Sequence, residues 1–228
     1  MKNLLLLLAL IFTNQLFSQT KTNAPSTDQT KQKFSLGILA GLNINFMPYD
    51  HAPAIRGGSH NSRLLPEYAY FAGVSARQPI FNHLAVKLDG QFSRRGFGLK
   101  SYSSPFPVLE HYQASYVDFV PQVEYIVFKN IFLSLGGYGG VRLEEEWVKY
   151  NNQDWTILNP DFIVLAEDSD WGLMFGLRVE FGRFSALIKY QHGLTPGIKW
   201  ELMNDIGEIT KSSQYHRSLQ IGLGFNLI

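Results

Sequence analysis

Between residues 34 and 46 every even-numbered position is apolar (Phe34, Leu36, Ile38, Ala40, Leu42, Ile44, Phe46), while the odd positions are mostly Ser, Gly and Asn. Such a period of two belongs to a strand with two different faces rather than to a helix, whose apolar stripe recurs every 3.6 residues. Residues 68–78 repeat it with Tyr68, Tyr70, Ala72, Val74 and Ala76. Residues 83–95 set Leu84, Val86, Leu88 and Phe92 against Lys87, Asp89, Gln91, Ser93 and Arg95. The same alternation predicts strands over 115–128, 131–144, 170–182, 183–194 and 216–227, which makes eight.

The connections decide how these strands are arranged. Residues 79–82, 129–130 and 182–183 are tight turns, which join antiparallel neighbours. Residues 47–67, 96–114, 145–169 and 195–215 are long, so long and short connections alternate along the whole chain. An even strand count brings both chain ends to the short-turn rim. The expected fold is therefore all-β, an eight-stranded antiparallel up-and-down transmembrane β-barrel with a filled polar lumen, short periplasmic turns and long extracellular loops.

A soluble barrel with apolar side chains inside would share the alternation, so the two faces must be told apart by content. One phase carries few charges, and aromatic residues recur near the strand ends: Phe34, Phe46, Tyr68, Tyr116, Phe128, Trp171, Phe181, Phe184 and Phe225. Aromatic girdles at the two membrane interfaces have that distribution. The other phase holds Lys87, Asp89, Arg95, Asp118, Glu124, Arg142, Glu144, Asp170, Arg178, Glu180 and Lys189, together with glycines such as Gly37, Gly41, Gly73, Gly136, Gly172, Gly176, Gly222 and Gly224. Facing inward, the small residues leave room for the long charged ones. Five cations against six anions in a lumen this narrow must pair to offset their desolvation, so these eleven residues are expected to form a structural charge network.

Before the first strand lies a leader. Lys2 precedes an unbroken apolar run, 4–12, followed by polar and small residues, as in a signal peptide; cleavage is expected after Ser18. The run is too short to cross a bilayer as a helix, which takes about 20 residues. Residues 19–33 are rich in Thr, Lys and Gln without an aromatic and read as a periplasmic tail, leaving 34–228 as the outer-membrane β-barrel domain. Losing Lys2 takes the formal charge from +1 to zero, which leaves no electrostatic footprint for nucleic acid. The sequence has no cysteine, which excludes disulfides and a lipid-anchored cysteine.

Candidate chemistry is sparse, and neither an enzymatic activity nor a cofactor is expected. His216 and Ser218 form a His-x-Ser pair that could serve as base and nucleophile on a lipid-facing wall, but they share the inward phase of Gln220, Gly222 and Gly224. Glu144, Glu145 and Glu146, with Glu167, Asp168 and Asp170, flank one long loop and are expected to be solvated rim charge in preference to a cation site. His51, His60 and His111 are scattered without metal-ligand spacing. The long loops hold Trp147, Tyr150, Trp155, Trp200 and Tyr215, more aromatic than a flexible linker needs, and are expected to continue the strand pairs as extracellular hairpins. A protein partner would dock on loops 47–67, 96–114, 145–169 and 195–215.

Several segments carry a family resemblance: FSLGILAGLNINF, the stretch 71–96 (FAGVSARQPIFNHLAVKLDGQFSRRG), YVDFVPQVEYIVF with Pro121 inside a strand, LGGYGGVRL, and the stretch 170–198 from DWGLMFGLRVEF to GLTPGI. The chain resembles the small outer-membrane β-barrel family of Bacteroidetes-type bacteria, the porin family or PorT-like proteins. The resemblance implies eight strands, insertion by the barrel-assembly machinery and contact with outer-membrane lipid and lipopolysaccharide. A structural or interaction role without an open pore is the leading expectation. An accessory role in type IX-like secretion or a small-solute porin is the alternative, and a lipid-modifying enzyme the third.

Overall fold

The computed structural model describes residues 34–46, 63–101, 108–151, 154–157, 164–165, 168–203 and 209–228; the expected leader, the tail and most of the first long loop lie outside them. Eight long strands alternate in direction: β1 (Ser35–Phe46), β2 (Glu67–Phe81), β3 (Leu84–Ser101), β4 (Val108–Phe128), β5 (Ile131–Asn151), β6 (Ser169–Phe181), β7 (Phe184–Met203) and β8 (Ile209–Asn226). Each pairs with the next, and β1 pairs antiparallel with β8 from Gly37↔Asn226 to Phe46↔Arg217, which closes the barrel. Closure removes the two edges that an open sheet would present, and it leaves no ladder group unpaired where there is no water.

Two-residue turns at Asn82-His83, Lys129-Asn130 and Gly182-Arg183 form one rim. Gly182 has φ of 66°, a left-handed conformation that costs a residue without Cβ little and suits a tight hairpin. The expected turn over 79–82 shortens, because β2 runs on to Phe81. Pro79, which has no N–H to donate, sits where the β2–β3 register slips between Pro79 and Phe81.

The faces are inverted relative to a soluble protein. Ile38, Leu42, Val74, Val123, Leu135, Phe175, Leu177, Ile188 and Ile221 are 40–62% exposed, whereas Asp89, Arg95, Asp118, Glu124 and Gln220 are at most 1% exposed. A soluble monomer rarely shows a contiguous apolar patch beyond a few hundred Å². Here the apolar belt runs round the whole wall, which is what a hydrocarbon solvent selects. Exposed Phe81, Phe128, Phe181 and Phe184 ring the turn rim, and Phe184 packs on Phe225 with centroids 5.1 Å apart. Tyr68 and Trp171 sit toward the opposite interface.

At the other rim the strands outrun the membrane. A tilted strand crosses in about 9–11 residues, yet β4 and β5 have 21 each and β7 has 20. The strands run past their expected ends at Arg95, Ser115, Glu144, Leu194 and His216, and parts of the long connections are strand, as expected of hairpins that continue the strand pairs. Short strands Arg63–Leu65, Asp154–Ile157 and Val164–Leu165 add to β3, β5 and β7 respectively. Alternation fades there because neither face meets hydrocarbon, which is why apolar periodicity underestimates the length.

Candidate functional site: the barrel lumen and the loop rim

Inward side chains build the lumen in layers. Nearest the turn rim, Glu124 on β4 receives Arg77 from β2 at 2.8 Å and Arg178 from β6 at 2.7 Å. Arg178 also pairs with Glu180. Both guanidinium groups lie over the Phe132 ring, at 4.9 and 4.2 Å from its centroid, so the ring face adds a cation–π contact to each. Next, Asp89 is held between Lys87 at 3.1 Å and Lys189 at 2.6 Å and accepts a hydrogen bond from Gln122 at 2.7 Å.

In the third layer Arg95 bridges two carboxylates, Asp118 at 2.6 Å and Asp170 at 2.5 Å, and so ties β3 to β4 and β6. Asp118 also accepts from Ser93 at 2.6 Å and Gln91 at 3.2 Å, and Asp170 from the Tyr138 hydroxyl at 3.2 Å. Tyr116 and Tyr138 sandwich the guanidinium at 4.7 and 5.0 Å. Among the described residues, each of the eight sequence-assigned charges that are buried here (Lys87, Asp89, Arg95, Asp118, Glu124, Asp170, Arg178, Lys189) has an opposite charge within 3.2 Å.

The remaining three assigned residues sit at the rims. Glu180 lies at the turn rim with Arg178. Arg142 faces inward at the loop rim, and its partners are Glu145 at 2.8 Å and Asp168 at 2.9 Å rather than Glu144. A bulge accounts for this: Tyr116 pairs with Arg142 but Ser115 with Glu144, so Leu143 is an extra residue and the inward phase passes to Glu145. Glu144 is exposed on the opposite face and accepts from Ser115 at 3.1 Å, a correction to its inward assignment.

Other rim charges are also paired. Tyr112 donates to Glu145 at 3.0 Å, and burial pushes its hydroxyl pKa well up. Arg94 pairs with Glu146 at 3.1 Å, and His111 meets Glu67 at 2.9 Å. Glu145, Glu146, Asp168 and Asp170 are thus engaged by arginines, and among the described residues no three His, Asp or Glu side chains gather as a metal site would require.

Two lumen residues escaped the sequence reading. Arg77 shares the inward phase of β2 with Phe71, Gly73 and Ser75, none of them charged, so that face showed no charge pattern; odd parity was the available signal. Glu145 needed the bulge. His216 and Ser218 are 3% and 2% exposed on the lumen side, and the Ser218 hydroxyl donates to Gln191 at 2.9 Å, away from lipid.

A wall that is apolar outside and a lumen that is charged and paired inside define an integral outer-membrane β-barrel. Residues 17–199 match the family model described as outer membrane protein beta-barrel domain, and the chain belongs to that family. The protein resides in the cell outer membrane. Among solved structures, it is similar to the attachment invasion locus protein Ail of Yersinia pestis (13% identity, 86% of this chain and all of that one, TM-score 0.42). It is also similar to Neisserial surface protein A (11%, 84% and 96%, 0.42) and to OprG of Pseudomonas aeruginosa (11%, 86% and 96%, 0.42). No curated protein matches the sequence.

Proposed function

We propose that the protein is a closed outer-membrane barrel with a structural or interaction role, and that no solute passes through it. The observation that carries this reading is the pairing of the buried lumen charges in successive layers, which fills a bore that eight strands leave only wide enough for side chains. In planar bilayers the purified protein is expected to give no stable ionic conductance. Reproducible currents, lost when lumen side chains are enlarged, would replace this reading with that of a small-solute porin.

The interaction half of the proposal rests on the strand extensions. β5 pairs with β6 only as far as Val141↔Ser169, and Asp154–Ile157 covers it only from Val148. The stretch between carries Glu144, Glu145 and Glu146, exposed on the raised rim, a charged edge at which a partner could dock. Crosslinking in whole outer membranes through this edge, followed by identification of what is joined, tests it. The segment resemblance supports a place among the PorT-like barrels of Bacteroidetes-type bacteria, with lipopolysaccharide around the wall and the barrel-assembly machinery as the insertion route. On that basis an accessory role in secretion is the second reading.

A further inference from the structure

Salt bridges do not account for the whole lumen. Along β2, β1, β8 and β7 one ladder row reads Phe71↔Gly41↔Gly222↔Leu187. The two glycines leave space that the Phe71 ring occupies: a Cβ at Gly41 would stand 2.8 Å from the ring, and one at Gly222 2.7 Å from it. Phe71, Leu187 and the adjacent Leu39 form one buried apolar cluster. On the turn-rim side of that cluster is a recess lined by Ser75, Arg77, Lys87, Arg178 and Ser185, reaching inward as far as Leu39 and Leu187.

On the loop-rim side β1, β7 and β8 carry only polar side chains inward: Asn43 and Asn45 on β1, Lys189 and Gln191 on β7, and Gln220, Ser218 and His216 on β8. All are at most 3% exposed. Among the described residues Asn43 Oδ1, Asn45 Oδ1, Gln191 Nε2, His216 Nε2 and both amide atoms of Gln220 have no hydrogen-bond partner in the protein. Five side chains with six orphaned polar atoms on three adjacent strands are too many to leave dry, since each buried group left unsatisfied carries its full desolvation penalty. Buried water in a polar cavity characteristically makes about three hydrogen bonds to such groups.

We infer that these amides line an enclosed hydration site on the loop-rim side of the lumen, and that Leu39, Phe71 and Leu187 form the apolar septum that keeps its water from the periplasmic recess. The inference rests on the closed-lumen reading above and adds to it the element that does the closing along the β1, β7 and β8 wall. An apolar layer one side chain thick excludes water by being too narrow and too poor in partners to be wetted.

Two measurements test it. In detergent micelles, the side-chain amide protons of Asn43, Gln191 and Gln220 are expected to show cross-relaxation with long-lived water; its absence overturns the hydration site. In planar bilayers, Phe71→Ala is expected to give unitary current steps where the unmutated protein gives none, with steps larger at least twofold in Phe71→Ala combined with Leu39→Ala. A heat-modifiable, folded Phe71→Ala that stays silent overturns the septum. If that variant is not recovered folded, Leu187→Ala, which removes the far end of the septum and leaves the ring over the glycines, decides by the same criterion. Currents from the unmutated protein would instead overturn the closed-lumen reading itself.

Discussion

Arg95 and Arg178 are both buried arginines with two carboxylate partners, yet their loss should not cost the same. Removing Arg95 strands Asp118 and Asp170, both 1% exposed, with no other cation paired to either among the described residues. Removing Arg178 leaves Glu124 with Arg77 at 2.8 Å, and Glu180 sits at the rim. Breaking a buried pair from one side costs about 3–5 kcal/mol. Arg95→Ala is therefore expected to lose stability in that range and Arg178→Ala distinctly less, as read by urea unfolding of the micelle-embedded barrel. Equal losses would mean that Arg77 does not substitute for its neighbour. Ser93→Ala, which takes one hydrogen bond of 2.6 Å from Asp118, belongs between these and zero, at about 1–2 kcal/mol.

At the scale of the strand, the two faces answer to different solvents. Leu177 is 40% exposed in the middle of β6, so Leu177→Arg is expected to cost about 2–4 kcal/mol and to lower the yield of inserted barrel. The Arg94–Glu146 pair on the strand extensions is largely solvated, and Glu146→Ala should change stability by less than about 1 kcal/mol. A refolding assay into lipid vesicles ranks the two; the reverse order would turn the barrel inside out. The membrane-crossing parts of these strands were legible because hydrocarbon and lumen impose opposite demands on successive residues, and the alternation from Phe34 to Phe46 records both. Beyond Arg95 and Glu144 that pressure ends, so the extensions of β3, β4 and β5 left no periodic trace. The bulge at Leu143 was illegible for another reason: an extra residue changes parity without changing composition, and Glu144 and Glu145 are chemically the same. The amide cluster of Asn43, Gln191 and Gln220 was visible only as inward polarity, since sequence gives residue types but not which of their atoms find partners.

For the molecule as a whole, the ladder and the layered charges act together. Closure pairs every strand with two neighbours, and the charge layers then join strands that are not adjacent, as Arg95 does between β3 and β6 and Lys189 between β7 and β3. Such a barrel should resist dodecyl sulfate at room temperature and migrate faster on a gel unheated than boiled. Arg95→Ala should lower the temperature at which the fast band disappears, and an unchanged transition would separate the charge layers from global stability.

The seam between β1 and β8 has a consequence in time. Gly37 can meet Asn226, and Phe46 can meet Arg217, only after the six strands between them have been made. Until then the first strand has one neighbour, its apolar face has nothing to cover it in water, Asp89 on β3 awaits Lys189 on β7, and Glu124 on β4 awaits Arg178 on β6. Contacts of such long sequence range form slowly and leave sticky intermediates. The strand that comes eighth is therefore the one that allows the first to settle.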